Sequence, residues 1–71
     1  MNKSEKLVQL GSRIREIRSR RKMTQDNLAK QCFCEKANIS RIESGQTNLT
    51  LRSLYKISTA LEVHITELFI D

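Results

Sequence analysis

The chain contains no proline and only two glycines, Gly11 and Gly45, in 71 residues. With no Gly/Ser-rich stretch, repeat or low-complexity block either, nothing divides it, and residues 1–71 read as one domain. No apolar run approaches the ~20 residues of a membrane helix. Met1-Asn2-Lys3 leads into an amphipathic segment in place of the apolar stretch of a secretory signal, so a cytoplasmic protein without membrane contact is expected. Cysteine is confined to Cys32 and Cys34, a spacing at which a mutual disulfide is strained, and His64 is the sole histidine. A four-ligand zinc site within one chain would need carboxylates as well, so neither a metal nor a cofactor is expected, and the cysteines read as small buried thiols in a reducing compartment. Paired carboxylates, a nucleophile with its base and a phosphate-binding loop are also missing, which argues against an enzyme.

What the chain does have is basic charge, unevenly placed. Thirteen Lys and Arg stand against eight Asp and Glu, for a net charge of +5. Residues 1–56 hold all thirteen basic groups and five acidic ones, whereas residues 57–71 hold three acidic groups and no basic one. One end suits a polyanion and the other does not, the pattern of a nucleic-acid-binding module with a separate dimer surface. At this length a lone core is marginal and association supplies missing burial, so a homodimer is expected.

The apolar periodicity is helical throughout, and the fold class is all-α. Leu7, Leu10, Ile14 and Ile17 recur at three and four, giving a first helix from about Glu5 to Arg21 with Arg13, Arg15, Arg18, Arg20 and Arg21 on its other faces. Lys22-Met23 is the joint to the next helix. Gly45 is the best left-handed stop, after which Gln46-Thr47-Asn48 form a polar loop. Thr50 can then cap a fourth helix carrying Leu51, Leu54, Ile57 and Leu61. A short fifth helix, about Ile65 to Ile70, crowds Ile65, Leu68, Phe69 and Ile70 into a space that one buried stripe cannot hide. Val63 to Thr66 is too short to serve as a strand with no partner candidate.

Residues 24–45, TQDNLAKQCFCEKANISRIESG, fit two short helices meeting at a tight turn better than one continuous helix. Thr24 caps the first, whose inward face is Leu28, Ala29 and Cys32, and Ile39 and Ile42 face inward on the second. Ala29 lies where the axes cross, so a larger side chain there would hold them apart. The outward positions Lys36, Ala37, Asn38, Ser40, Arg41 and Ser44 are polar or small, as a groove-reading surface requires. This is a helix-turn-helix.

From about Leu10 to Phe69, through MTQDNLA (23–29), NISRIESG (38–45), LTLRSLYKISTALEV (49–63) and ELF (67–69), the sequence resembles the Cro/C1-type, or XRE, family of phage repressors and bacterial regulators. Its small size further resembles the controller proteins of restriction-modification systems. The resemblance implies a compact five-helix lambda-repressor-like DNA-binding domain that regulates transcription. Its implied partners are a palindromic duplex operator, a second copy of the chain and, as a further candidate, the transcription machinery. Lys36, Ala37 and Arg41 match base-reading positions. Arg41 or Lys36 can donate to guanine O6 and N7, and Ala37 can touch a thymine methyl or simply allow close approach. Gln25 corresponds to a glutamine that donates to phosphate and braces the recognition helix. Asn38, Ser40, Ser44, Gln46, Thr47 and Asn48 fall at backbone-contacting positions. Arg18 and Glu43 match a salt bridge between the first and recognition helices. Tyr55, Val63, Ile65, Phe69 and Ile70 fall in the implied dimerisation region, about 55–71.

The sequence also departs from the family pattern. The 46–48 loop lacks the basic residues of many relatives, leaving Arg13, Arg20, Arg21, Lys22 or Arg52 to supply phosphate contacts. Phe33 stands where glycine is usual in the turn, so either the turn is built differently or Phe33 takes a positive φ. Glu62 replaces another glycine, His64 replaces a capping serine and reads as an exposed cap or loop residue, and Glu35 takes a Ser/Thr cap position from which its carboxylate can cap. The alternative function is an antitoxin or protein-interaction adaptor of the same fold, with DNA binding secondary.

Overall fold

The computed structural model describes residues 5–69. Four α-helices, α1 (Glu5–Arg20), α2 (Gln25–Gln31), α3 (Lys36–Glu43) and α4 (Leu51–Leu61), are followed by a 3₁₀ helix, Ile65–Phe69. There is no strand among the described residues. The expected fifth α-helix is thus a single short 3₁₀ element, opened by the Glu67 amide donating to the His64 carbonyl at 2.9 Å. Five residues allow too few i to i+4 bonds for an α-helix to be worth nucleating, and the tighter 3₁₀ winding suits such short pieces.

The core follows from the apolar spacing. Ile14, Leu28, Ile39, Ile57, Leu61 and Leu68 are fully buried, one or more from each element. Helix α2 packs on α3 and α4, α1 on α3, and the 3₁₀ helix on both α1 and α4. Ala29 is buried in the α2 face. Helix α4 buries Leu54, Ile57, Ser58, Ala60 and Leu61, but Leu51 is 63% exposed, contrary to the expected stripe. It is the first residue of the helix, so it shares its side of α4 with buried residues further along but lies beyond the end of the core.

The helix starts match the capping chemistry in two cases. Thr24 forms a reciprocal capping box with Asn27, and the Thr50 hydroxyl accepts from the Ser53 amide at 3.1 Å. Glu35 takes the N-cap position of α3 with extended backbone, yet its carboxylate makes no capping bond, against expectation.

All four α-helices end the same way. A residue with positive φ follows each, and the next amide reaches back five residues: Met23 to Arg18, Cys34 to Ala29, Gln46 to Arg41 and Val63 to Ser58, at 2.9–3.1 Å. The positive-φ residues are Lys22 (58°), Phe33 (58°), Gly45 (75°) and Glu62 (60°). Glycine is the residue this closure favours, but only one of the four has it. Of the two alternatives expected at Phe33, the structure shows the positive φ, the phenylalanine taking the left-handed conformation itself.

Candidate nucleic-acid interface

Helix α3 is held from one side only. Ile39 and Ile42 pack into the core and Glu43 is buried beside them. At about 100° per residue the remaining positions fan out over the opposite side, with Lys36 at one border and Asn38 at the other. Lys36, Ala37, Ser40, Arg41 and Ser44 are exposed, while Asn38 is half-buried against a small recess that also touches Cys32, Ser53 and Lys56. Lys36 and Arg41 form no ion pair among the described residues, so both cations are available to a ligand. The Ser44 hydroxyl donates to the Arg41 carbonyl at 3.1 Å. It would have to turn away from its own helix to donate to a phosphate.

The orientation of α3 is fixed by a buried polar cluster. Arg18 Nε donates to Glu43 Oε2 at 2.6 Å, and a terminal guanidinium nitrogen donates to Glu43 Oε1 at 3.1 Å. The other terminal nitrogen donates to the Met23 carbonyl at 2.7 Å. Gln25 Nε2 completes the cluster, donating to Glu43 Oε1 at 3.0 Å. The Glu43 carboxylate at the end of α3 thereby holds Arg18 of α1 and Gln25, the first residue of α2, while the Arg18 guanidinium also holds the α1–α2 joint. Among the described residues no buried side-chain nitrogen or oxygen lacks a partner, so the charge is compensated. Gln25, expected to meet phosphate and brace the recognition helix, spends one amide hydrogen on this bond to α3.

Gly11 is the residue that sequence reasoning missed. A Cβ on it would lie 2.4 Å from the Ile42 carbonyl oxygen and 2.6 Å from that of Glu43, so α1 touches the backbone of the last turn of α3. An isolated glycine inside a strongly periodic helix was the available signal. Gly45 does double duty, since a Cβ there would also meet the Val8 backbone at 2.8 Å.

The structure sorts the basic residues that were candidates for phosphate contact. Arg13 Nε donates to the Glu67 carbonyl at 2.9 Å and its guanidinium pairs with Glu16, so it fastens the 3₁₀ helix to α1. Arg20 pairs with Glu16, and Arg21 with Glu62 at 2.8 Å. The Arg13 hydrogen bond, helped by Arg20, holds the Glu16 carboxyl below its ordinary range. Lys22 and Arg52 form no ion pair among the described residues. In the following loop Gln46 and Asn48 are exposed and Thr47 is half-buried, its hydroxyl 3.4 Å from the Asn48 carbonyl.

Of the expected dimer residues, Phe69 is 60% and Tyr55 53% exposed, whereas Val63 and Ile65 are half-buried against the core. Ile70 lies outside the described residues. Cys32 is buried and Cys34 half-buried, both as free thiols, and burial pushes the Cys32 thiol up from its ordinary value. No group of residues among those described could hold a metal ion, and no described helix is long and apolar enough to cross a membrane.

The helix-turn-helix family profile matches residues 14–68. The chain belongs to this family, the XRE-type helix-turn-helix proteins. Its members are DNA-binding transcription regulators and not enzymes. This helix-turn-helix protein is 41% identical over 59 residues to control protein C.BamHI of Bacillus amyloliquefaciens, covering 82% of this chain and 73% of that one. The crystal structure of the restriction-modification controller protein C.AhdI from Aeromonas hydrophila superposes with a TM-score of 0.87 at 35% identity, over 89% of this chain and 96% of that one. The controller protein C.Esp1396I, solved as a tetramer in complex with its natural 35 base-pair operator, superposes with a TM-score of 0.84 at 36% identity, over 93% and 87% of the two chains.

Proposed function

We propose that this protein is a sequence-specific transcriptional regulator that binds a palindromic duplex operator as a homodimer, in the manner of a restriction-modification controller protein. The observation that carries the reading is the exposed pair Lys36 and Arg41, without an ion pair among the described residues, on an α3 whose opposite side is clamped by the Arg18–Glu43–Gln25 cluster. A rigidly held helix with uncommitted cations is what direct reading of base edges in the major groove needs. In this reading Arg41 and Lys36 read guanine and Ala37 lets the helix approach. Gln25, Asn38, Ser40, Ser44, Gln46, Thr47 and Asn48 meet the backbone, with Lys22 as added charge. The operator complex of C.Esp1396I supports it by analogy.

The dimer surface in this proposal is built on Phe69, with Val63, Ile65 and Ile70 of the same end. Tyr55, also expected there, is exposed and lines a groove with Phe33. A two-fold pair would set its recognition helices about 34–36 Å apart, one turn of DNA. Residues 1–71 act as one unit in this reading, and its place is the cytoplasm with the DNA. Selection of bound fragments from a random duplex pool tests all of this together. A palindromic consensus with half-sites one helical turn apart is expected, with affinity falling steeply as salt rises because phosphate contacts release counterions. Failure to enrich any sequence, or an affinity insensitive to salt, would overturn it.

A further inference from the structure

The described surface carries five large apolar side chains that the core leaves out: Val8, Phe33, Leu51, Tyr55 and Phe69. Two of them, Phe33 in the α2–α3 turn and Tyr55 on α4, line the same open groove of about 510 Å³. Ala60 adds apolar wall, and Arg52 and Lys56, one turn apart on α4, bring the charge. Among the described residues no carboxylate lines this groove. Neither Arg52 nor Lys56 is ion-paired among the described residues. Phe33 is 91% exposed, yet its backbone is fixed, its own amide donating to Lys30 and the next to Ala29. A ring held out in solvent on a fixed backbone is apolar surface that a partner would cover. A smaller recess shares Phe33 and Lys56 with the groove and is also lined by Asn38 on α3.

We propose that this groove docks an acidic amphipathic segment of another protein, its apolar side chain seated between Phe33 and Tyr55 and its carboxylates on Arg52 and Lys56. Charge complementarity selects that occupant. Two cations without an anion call for acidic groups, and the two rings call for an apolar anchor that a phosphodiester backbone does not offer. The volume falls in the ~300–1,000 Å³ range of ligand-sized clefts, enough for side chains of a short helix. The groove and the smaller recess share Phe33 and Lys56, and the recess reaches Asn38 of the reading helix.

The test uses the full chain, labelled with ¹⁵N, and a synthetic amphipathic peptide with Glu and Asp flanking a Phe and a Leu one turn apart. Binding read by anisotropy is expected, with amide shifts centred on Phe33, Arg52, Tyr55 and Lys56. The double variant R52E/K56E should weaken it about tenfold with an unchanged thermal melt, since both side chains are exposed. Replacing the peptide's Phe and Leu by Ala should weaken it comparably. No shift in the groove overturns the proposal, as does a response confined to α3, which would mark the peptide as a mere polyanion. The same groove shifts on adding non-specific duplex would assign the groove to DNA backbone, and the same shifts on raising protein concentration alone would assign it to a second copy. Either result overturns the proposal as well.

Discussion

Arg18 and Glu43, twenty-five positions apart in the chain, meet in a two-pronged ion pair whose side chains are only 12% and 3% exposed. Because Glu43 is the last residue of α3 and Arg18 belongs to α1, the pair fixes the angle at which the reading face is presented. Removing one partner strands the other charge in a largely desolvated position. Arg18→Ala and Glu43→Ala should each lower stability by about 3–5 kcal/mol in chemical denaturation. The double replacement Arg18→Met with Glu43→Leu should lose clearly less than the two single losses added together. Additive losses would mean that the two side chains act independently.

The left-handed helix ends make an opposite prediction. Phe33→Gly removes a side chain that buries almost nothing and relieves a strained φ, so it should stabilise the fold by about 0.5–1 kcal/mol after the extra freedom of the unfolded chain is counted. Lys22→Gly should behave alike. Glu62→Gly should gain slightly less, because it gives up an exposed ion pair with Arg21. Thermal melts of the three variants decide the matter, and a lowered midpoint for Phe33→Gly would show that its ring stabilises the turn.

At Gly11 the local and tertiary effects conflict. Alanine is the better helix former by about 1 kcal/mol, yet a Cβ would press on two carbonyl oxygens of α3 at 2.4 and 2.6 Å. Backbone cannot swing aside as a side chain can, so Gly11→Ala should destabilise by about 1–3 kcal/mol net and weaken binding to a selected DNA site. A variant more stable than the parent would mean that α1 slides without harm.

Arg41 and Gln25 should separate by specificity. Arg41→Ala is expected to weaken a selected site by about 1–3 kcal/mol and to relax preference at one base position per half-site, with the melt unchanged. Gln25→Ala should weaken all sequences more evenly. It should also lower stability by about 1.5–3 kcal/mol, because its bond to the Glu43 carboxylate is lost. Identical base preferences for both variants and the parent would remove the distinction between reader and brace.

Phe69 is largely exposed, so Phe69→Asp should leave the monomer fold intact while moving a dimer toward monomer in sedimentation. Operator binding should fall more than non-specific binding, since linked half-sites gain from effective concentration. Unfolding of the variant would place the ring in the monomer core instead. Charging Ile65 is a poorer test, because that side chain already packs against the core.

Local signals carried the helices. Periodicity placed α1 to α4, the short side-chain oxygens of Thr24 and Thr50 marked two helix starts, and Gly45 marked a stop, because each depends on neighbours within one turn of the chain. Most of the outward set on α3 was legible for the same reason, as the complement of Ile39 and Ile42 on one helix, whereas Asn38 at its border is half-buried. Three-dimensional placement decided the rest. Leu51 looks identical to Leu54 in a periodic pattern, and only the end of the core shows that it falls outside. Arg13, Arg20 and Lys22 look alike as basic residues, yet two are engaged by Glu16 or the Glu67 carbonyl and one is not. The contact of Gly11 with α3, the seat of Gln25 on Glu43 and the groove shared by Phe33 and Tyr55 join residues far apart in sequence. No spacing rule reaches them, because side-chain period is a property of one helix and these contacts are set by how several helices cross.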